Sequence, residues 1–329
     1  MATTTTPRTT TPRTTNRQDP DRQPADAHHS GSQRGPRPVP LAVWPVGQRS
    51  AQYQRAGRYH PSCTTHPGKM LPDLARRIVV EYSQPGALVV DPMAGTGTTL
   101  VEAALVGRRA VGVELEARWA ELARANAEHV LDPGARALVR VLQGDATDLA
   151  TLLGEDAGEV DLICTSPPYA CDVGNLDTTN WGAGHNLCAT AERNYSADRA
   201  NLGHARGPMY AQAMAAVYGA CRAVLRPGGI LAVVTKNTRR KGHLFDLAGL
   251  TVALAEAAGF TYLQHVIALH AAVRDGDLVA RPSFWQRTQT SKAAARGEAV
   301  HLVVHEDLCV FSAGPAQLTS SSKETARAH

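Results

Sequence analysis

Cysteine is scarce in this chain of 329 residues. Six are present (63, 164, 171, 188, 221 and 309), at irregular spacing. That pattern excludes a disulfide scaffold and fits a reducing cytosol. No apolar run approaches the roughly 18 residues that a membrane span needs, and no apolar leader follows Met1, so a cytoplasmic protein with no membrane partner is expected. Lysine is also rare: five residues (69, 236, 241, 292 and 323) among 34 basic side chains. The net charge of +4 misleads, because residues 1–60 hold nine Arg and three Asp and the rest of the chain is slightly acidic. Bulk charge therefore does not by itself identify a nucleic-acid binder. Apolar residues nevertheless make up 43% of the chain, enough for a core of ordinary size.

Residues 1–50 are expected to form a disordered tail. Thr6-Pro7-Arg8-Thr9-Thr10 recurs as Thr11-Pro12-Arg13-Thr14-Thr15, and seven Pro fall within the first forty residues. Such a segment cannot bury enough apolar area to offset its ordering entropy. Residues 315–329 read as a second flexible tail. Between them, strands and helices alternate. Ala87–Val90, Ala110–Val113, Ala137–Leu142, Val160–Cys164 and Ile230–Thr235 read as buried strands. Helices fill the intervals, and Phe260–His270 with Val300–Ser312 can form a closing antiparallel pair. This rhythm predicts an α/β fold: an open, mostly parallel sheet with helices on both faces and ligands at the carboxyl ends of its strands. Two stretches, 170–212 and 272–299, break the rhythm and read as candidate substrate-recognition loops.

After the first strand comes Asp91-Pro92-Met93-Ala94-Gly95-Thr96-Gly97-Thr98-Thr99, opening a helix. Gly95 and Gly97 let backbone approach a ligand closely. The loop is neither a phosphate loop nor a full G-x-G-x-x-G. Glu114 ends the next strand, 17 residues after Gly97, where a carboxylate can accept both ribose hydroxyls of a nucleoside. Asp145 ends the third strand, where a carboxylate can bind an adenine amino group. Each alone reads as a solvated strand-end charge; in order on successive strand ends, they specify an adenosyl-bearing cofactor.

Residues 91–99 resemble motif I of the S-adenosylmethionine-dependent methyltransferases that act on exocyclic amino groups of DNA bases. The segment His66-Pro67-Gly68-Lys69-Met70-Leu71-Pro72-Asp73-Leu74 resembles that family's motif X, which packs over the cofactor. The resemblance implies a Rossmann-like class I methyltransferase domain over residues 51–314, with a seven-stranded sheet and one antiparallel closing strand. It implies S-adenosylmethionine as cofactor, held by Asp91, Met93, Gly95, Gly97, Thr98, Glu114, Asp145 and Lys69.

Thr165-Ser166-Pro167-Pro168-Tyr169 follows the fourth strand directly. Proline fixes φ and removes donors, so a rigid turn presents acceptors only. An amino group to be methylated must be held by acceptors, with its lone pair free for in-line attack on a sulfonium methyl. Ser166 Oγ and the Pro167 carbonyl can supply them, and Tyr169 offers a face for a flipped-out base. Ser166, Pro167, Pro168 and Tyr169 are thus the candidate catalytic turn. Serine at position 166 resembles the N4-cytosine group more than the N6-adenine group. Cytosine-C5 chemistry would need a nucleophilic Cys, and Cys164 reads as a buried thiol inside its strand.

Lys236, Asn237, Arg239, Arg240 and Lys241 follow the fifth strand and can grip phosphates; a solvated charge run is the other reading. His60-x-x-Cys63-x-x-His66 and His185-x-x-Cys188 have zinc-like spacings, but neither supplies four ligands, and no metal is expected. The order of the motif X segment, the glycine loop and the Ser-Pro-Pro-Tyr turn is unpermuted, and no long C-terminal recognition domain is expected. The expected activity is methylation of a DNA base amino group, cytosine N4 before adenine N6, as in restriction-modification enzymes. The alternatives are tRNA guanosine-N2 methylation, which shares this order, and a silent module that only binds cofactor and DNA. The oligomeric state is left open.

Overall fold

In a computed structural model, the structure describes residues 40–66, 68–169, 208–240, 243–282 and 284–314. Ordered packing begins ten residues earlier than the sequence suggests. Val43–Trp44 forms a short strand, β1, and Trp44 and Val46 are buried. The composition of the tail hid this, because one Trp and one Val suffice to anchor a two-residue strand. Gly47 follows, and a Cβ there would stand 2.5 Å from the Ala271 amide nitrogen. Only glycine lets these two backbones lie so close.

The helices α1 (Ala51–Arg55) and α2 (Pro72–Tyr82) lead to β2 (Leu88–Asp91). Then come α3 (Thr98–Leu105), β3 (Arg109–Glu114), α4 (Ala117–Val130), the single turn α5 (Pro133–Arg136) and β4 (Val139–Gln143). The second half runs α6 (Leu149–Leu153), β5 (Val160–Thr165), α7 (Pro208–Val224), β6 (Leu225–Thr235), the hairpin β7 (Thr238–Arg240) and β8 (His243–Phe245), and α8 (Leu247–Ala257). It ends with β9 (Thr261–Leu269), β10 (Ala271–Arg274), β11 (Asp277–Ala280), α9 (Phe284–Ala295) and β12 (His305–Ser312).

The main sheet has eight strands in the order β1-β9-β12-β6-β5-β2-β3-β4. Strands β6-β5-β2-β3-β4 are parallel, and β12 runs antiparallel to both β6 and β9. The α/β class and the antiparallel closing strand are as expected. The count is eight instead of seven because β1 adds itself in parallel to β9. Both faces of the sheet are covered. Val90, Val113, Ile163, Leu231 and Phe311 pack with α6, α7 and α8; Val89, Ala110, Leu162, Ala232 and Leu308 pack with α2 and α3. Alternate residues of one strand thus feed opposite cores, which explains why these strands read as continuous apolar runs.

The chain winds from β2 toward β4, returns, and winds from β5 toward β9. The direction switches between β2 and β5, so Asp91 and Thr165 end adjacent strands at the site where such sheets bind ligands. The segment 272–299, expected to be an irregular loop, contains the β10–β11 hairpin and α9 instead. Asp275-Gly276 makes the hairpin turn with both residues at positive φ, a turn dipeptide that the sequence reading overlooked. Of the segment 170–212, residues 170–207 lie outside the described residues, while 208–212 begin α7.

Candidate active site

The loop between β2 and α3 is braced from within. The Asp91 carboxylate accepts from the Met93 N–H at 3.1 Å and from the Thr99 hydroxyl at 2.7 Å. Burial pushes its pKa up to about 6, against the pull of those hydrogen bonds. Gly97 has φ of 76° and caps α3. A Cβ there would be strained and would press on Ala123 at 3.1 Å. The Gly95 N–H donates to Glu114 Oε2 at 2.8 Å, and the Glu116 N–H donates to Glu114 Oε1 at 3.0 Å. Burial raises the Glu114 carboxyl while these two bonds oppose it. Loop and strand-end carboxylate are therefore one unit.

Other elements close around it. Asn126, fully buried on α4, donates through Nδ2 to the Thr96 carbonyl at 2.7 Å and to Cys63 Sγ at 2.7 Å. His66 is buried, meets the Trp119 ring edge-on at 4.6 Å, and accepts the Gly68 N–H at Nδ1. Its ring lies 3.4 Å from where a Cβ on Gly95 would stand. Burial drives its pKa down to about 4, with the Lys69 charge adding to the effect. The segment resembling motif X is thus brought over the glycine loop, and its ring is neutral at pH 7.

Of the other residues assigned to the cofactor, Met93 packs half-buried on the core below the loop. The Thr98 hydroxyl accepts from Arg55 at 3.2 Å. Lys69 is half-buried and donates Nζ to the His66 carbonyl; burial lowers its pKa. Asp145, at the end of β4, accepts from the Thr147 N–H and hydroxyl at 2.8 Å each.

The second half of the site lies beyond β5. Pro167 is buried, and Ser166, Pro168 and Tyr169 are half-buried. The Pro168 carbonyl accepts from Tyr210 on α7 at 3.1 Å, which pins the turn. Ser166 Oγ lies 3.4 Å from Tyr169 Oη. Tyr169 Oη in turn donates to Glu306 Oε1, 137 residues away on β12, at 3.1 Å. Because β12 is antiparallel, its start meets the carboxyl ends of its neighbours. Glu306 Oε2 lies 3.1 Å from His270 Nε2, just past β9. Burial alone would raise the Glu306 carboxyl; His270, Lys236 and Tyr169 together hold it below the ordinary carboxylate value.

Two of the candidate phosphate-gripping residues are placed otherwise. Lys236 is half-buried and donates to Gln286 Oε1 on α9 at 2.6 Å, and burial lowers its pKa. Asn237 Oδ1 accepts the Ala248 N–H at 3.0 Å and so serves the first turn of α8. Both are half-buried in the short link between β6 and β7, where their side chains are held by α9 and α8. Arg239 is exposed on the β7–β8 hairpin and Arg240 lies on β7; Lys241 lies outside the described residues. Cys164 is buried, and its thiol is pushed far up by burial. Cys63 accepts a hydrogen bond from Asn126, and His60 Nδ1 accepts the Ser62 N–H. Among the described residues no group of three or more His, Cys, Asp or Glu can hold a metal, and no helix is long and apolar enough to cross a membrane. His185 and Cys188 lie outside the described residues.

His66, Asn126, Glu306 and His270 complete the site. The first two had signals: His66 sits in the segment resembling motif X, and Asn126 is an amide inside an apolar helical stripe. Nothing local marks Glu306 or His270.

Residues 5–125 match the family model described as DNA methylase, of the N6 and N4 group. The chain is 36% identical over 125 residues to a tRNA (guanine(10)-N2)-dimethyltransferase of Methanocaldococcus jannaschii, covering 37% of this chain and 34% of that protein. It is 39% identical over 59 residues to the type II methyltransferase M.MthZI of Methanothermobacter thermautotrophicus, covering 18% and 17%. The chain thus spans about a third or less of the length of these curated relatives. A putative RNA methyltransferase structure from Pyrococcus horikoshii covers 80% of this chain and 96% of its own, at 11% identity and a TM-score of 0.44.

Proposed function

We propose, on the match of residues 5–125 to the DNA methylase family model of the N6 and N4 group, that the chain transfers a methyl group from S-adenosylmethionine to an exocyclic amino group of a nucleic-acid base. The donor set fits such a cofactor: a glycine loop at a topological switch point, the Glu114 carboxylate ending the next strand, and Asp145 two residues past the end of the strand after that. Gly95, Gly97 and Glu114 would hold it, with His66 and Lys69 above the loop. S-adenosylmethionine supplies a methyl group already activated as a sulfonium.

The residues of the chain do the rest by placement. Ser166 Oγ and the Pro167 carbonyl accept the amino hydrogens, and the pinned turn orients the nitrogen. Orientation and exclusion of water carry most of the rate. The observation that carries this reading is the adjacency of two strand ends. The braced loop after β2 and the Ser-Pro-Pro-Tyr turn after β5 share one edge of the sheet. DNA is the proposed substrate, with cytosine N4 favoured over adenine N6 on the strength of Ser166. The similarity to tRNA (guanine(10)-N2)-dimethyltransferases supports a second reading, guanosine-N2 methylation in tRNA.

The test is to hydrolyse DNA and tRNA from cells expressing the chain or its Ser166→Ala variant and quantify methylated nucleosides by mass spectrometry. N4-methylcytosine or N6-methyladenine in DNA, absent with the variant, is the expected result. N2-methylguanosine in tRNA with unchanged DNA would replace it with the second reading.

A further inference from the structure

The chain Ser166–Tyr169–Glu306 has a direction. Its outer contacts are 3.4 Å from Ser166 Oγ to Tyr169 Oη and 3.1 Å from Tyr169 Oη to Glu306 Oε1. Among the described residues, Glu306 is faced by His270 at 3.1 Å, by the Lys236 charge and by the Tyr169 hydroxyl, with Asp307 its neighbour in sequence. It is ionised at pH 7, and an ionised carboxylate only accepts. Tyr169 has a single O–H and gives it to Glu306. Its oxygen can then meet Ser166 only as an acceptor, so the Ser166 proton points toward Tyr169. The lone pairs of Ser166 Oγ are left for an incoming N–H.

We propose that Glu306 is a positioning residue which, acting through Tyr169, sets Ser166 as an acceptor for the amino group to be methylated. This rests on the methyl-transfer reading above. The same chain has room for the proton released when the nitrogen gains a methyl group. The N–H bond breaks toward Ser166 Oγ and its electron pair stays on nitrogen. The Ser166 proton passes to Tyr169 Oη, and the Tyr169 proton passes to Glu306 Oε1, which ends neutral. The charge is held one hydrogen-bonding partner back from the turn, on the half-buried Glu306. Low dielectric strengthens the chain of hydrogen bonds there.

The full-length chain, its Glu306→Gln and Tyr169→Phe variants and the double variant test this. The first readout is NMR of ¹³Cζ-labelled tyrosine, with the Tyr169 signal identified by its loss in Tyr169→Phe. The expected result is that Tyr169 titrates at lower pH in Glu306→Gln than in the parent, as removal of an adjacent charge requires. An unmoved signal would overturn the proposal. The second readout is the single-turnover rate on whichever nucleic acid is methylated. Each single variant is expected to be about 10- to 100-fold slower, the range that outer partners of a reacting group carry, with cofactor affinity unchanged. The double variant is expected to be no slower than Tyr169→Phe, because both act through one chain. Rates that multiply would assign Glu306 a merely structural role. If the parent binds cofactor but methylates neither DNA nor tRNA, the methyl-transfer reading fails, and the NMR result still decides the hydrogen-bond direction.

Discussion

The two halves of the sheet edge are held by opposite means. Beside β2 and β3, two buried carboxylates turn mainly onto backbone N–H groups of the adjoining loops: Asp91 onto Met93, with the Thr99 hydroxyl beside it, and Glu114 onto Gly95 and Glu116. Beside β5 and β12, side chains hold side chains, from Ser166 through Tyr169 to Glu306 and His270. The first arrangement fixes where a ligand lies, because a backbone loop offers few alternative shapes. The second fixes the direction of hydrogens, because hydroxyl groups rotate freely until a charge orients them. Binding and orientation are thereby assigned to different materials within one edge.

If the halves are separable, Ser166→Ala should lower the single-turnover rate by about 100-fold or more and leave cofactor affinity, measured by calorimetry, unchanged. A matching loss of affinity would break the comparison. The next effect concerns the braced half alone. The Asp91 carboxyl is raised by burial from an ordinary 3.8 to about 6. Its contribution to stability is therefore full below about pH 4 and is lost as pH rises through 6. At 1.36 kcal/mol per pH unit this amounts to roughly 3 kcal/mol. Asp91→Asn should flatten that decline when urea unfolding is followed from pH 4 to 7; a decline of equal size in the variant would assign it to other groups. Smaller still, Glu114→Ala removes an acceptor from two backbone donors and is expected to weaken cofactor binding by about 1.5–3 kcal/mol. Binding of nucleic acid without cofactor should not change in a filter or anisotropy assay. The smallest effect is expected at Arg239. Its replacement by Ala should weaken nucleic-acid binding only a few-fold and reduce the salt slope by about one.

The two halves also differ in how far they were legible. The braced half is local: a glycine that must adopt positive φ, a carboxylate closing a strand, a helix opening after a turn. Each is written in adjacent residues, so the residue types announce the geometry. The α/β alternation was readable for the same reason, since each apolar run is buried on both faces. The turn at Ser166–Tyr169 was readable because two prolines restrict the backbone by themselves. Its support was not. Glu306 lies 137 residues from Tyr169, and Lys236 reads as part of a surface charge run until the link after β6 brings it against Gln286. A sequence shows charge, but burial of that charge depends on which strands become neighbours. The start of the ordered domain was missed because β1 is only two residues long and owes its place to β9. The helix within 284–295 was missed because little periodicity marks it, and the β10–β11 hairpin because its signal is the single Asp275-Gly276 dipeptide.

The backbone crossing at Gly47 gives the N-terminal segment a second task. Gly47 donates its N–H to the Leu269 carbonyl, and its Cα lies against His270 and Ala271 so tightly that no side chain fits. Residues 41–50 therefore act as a splint on the very stretch that carries His270 toward Glu306. A shortened chain starting at residue 51 would keep every residue of the glycine loop and of the Ser-Pro-Pro-Tyr turn. It would lose the clamp that holds the far end of the hydrogen-bonded chain.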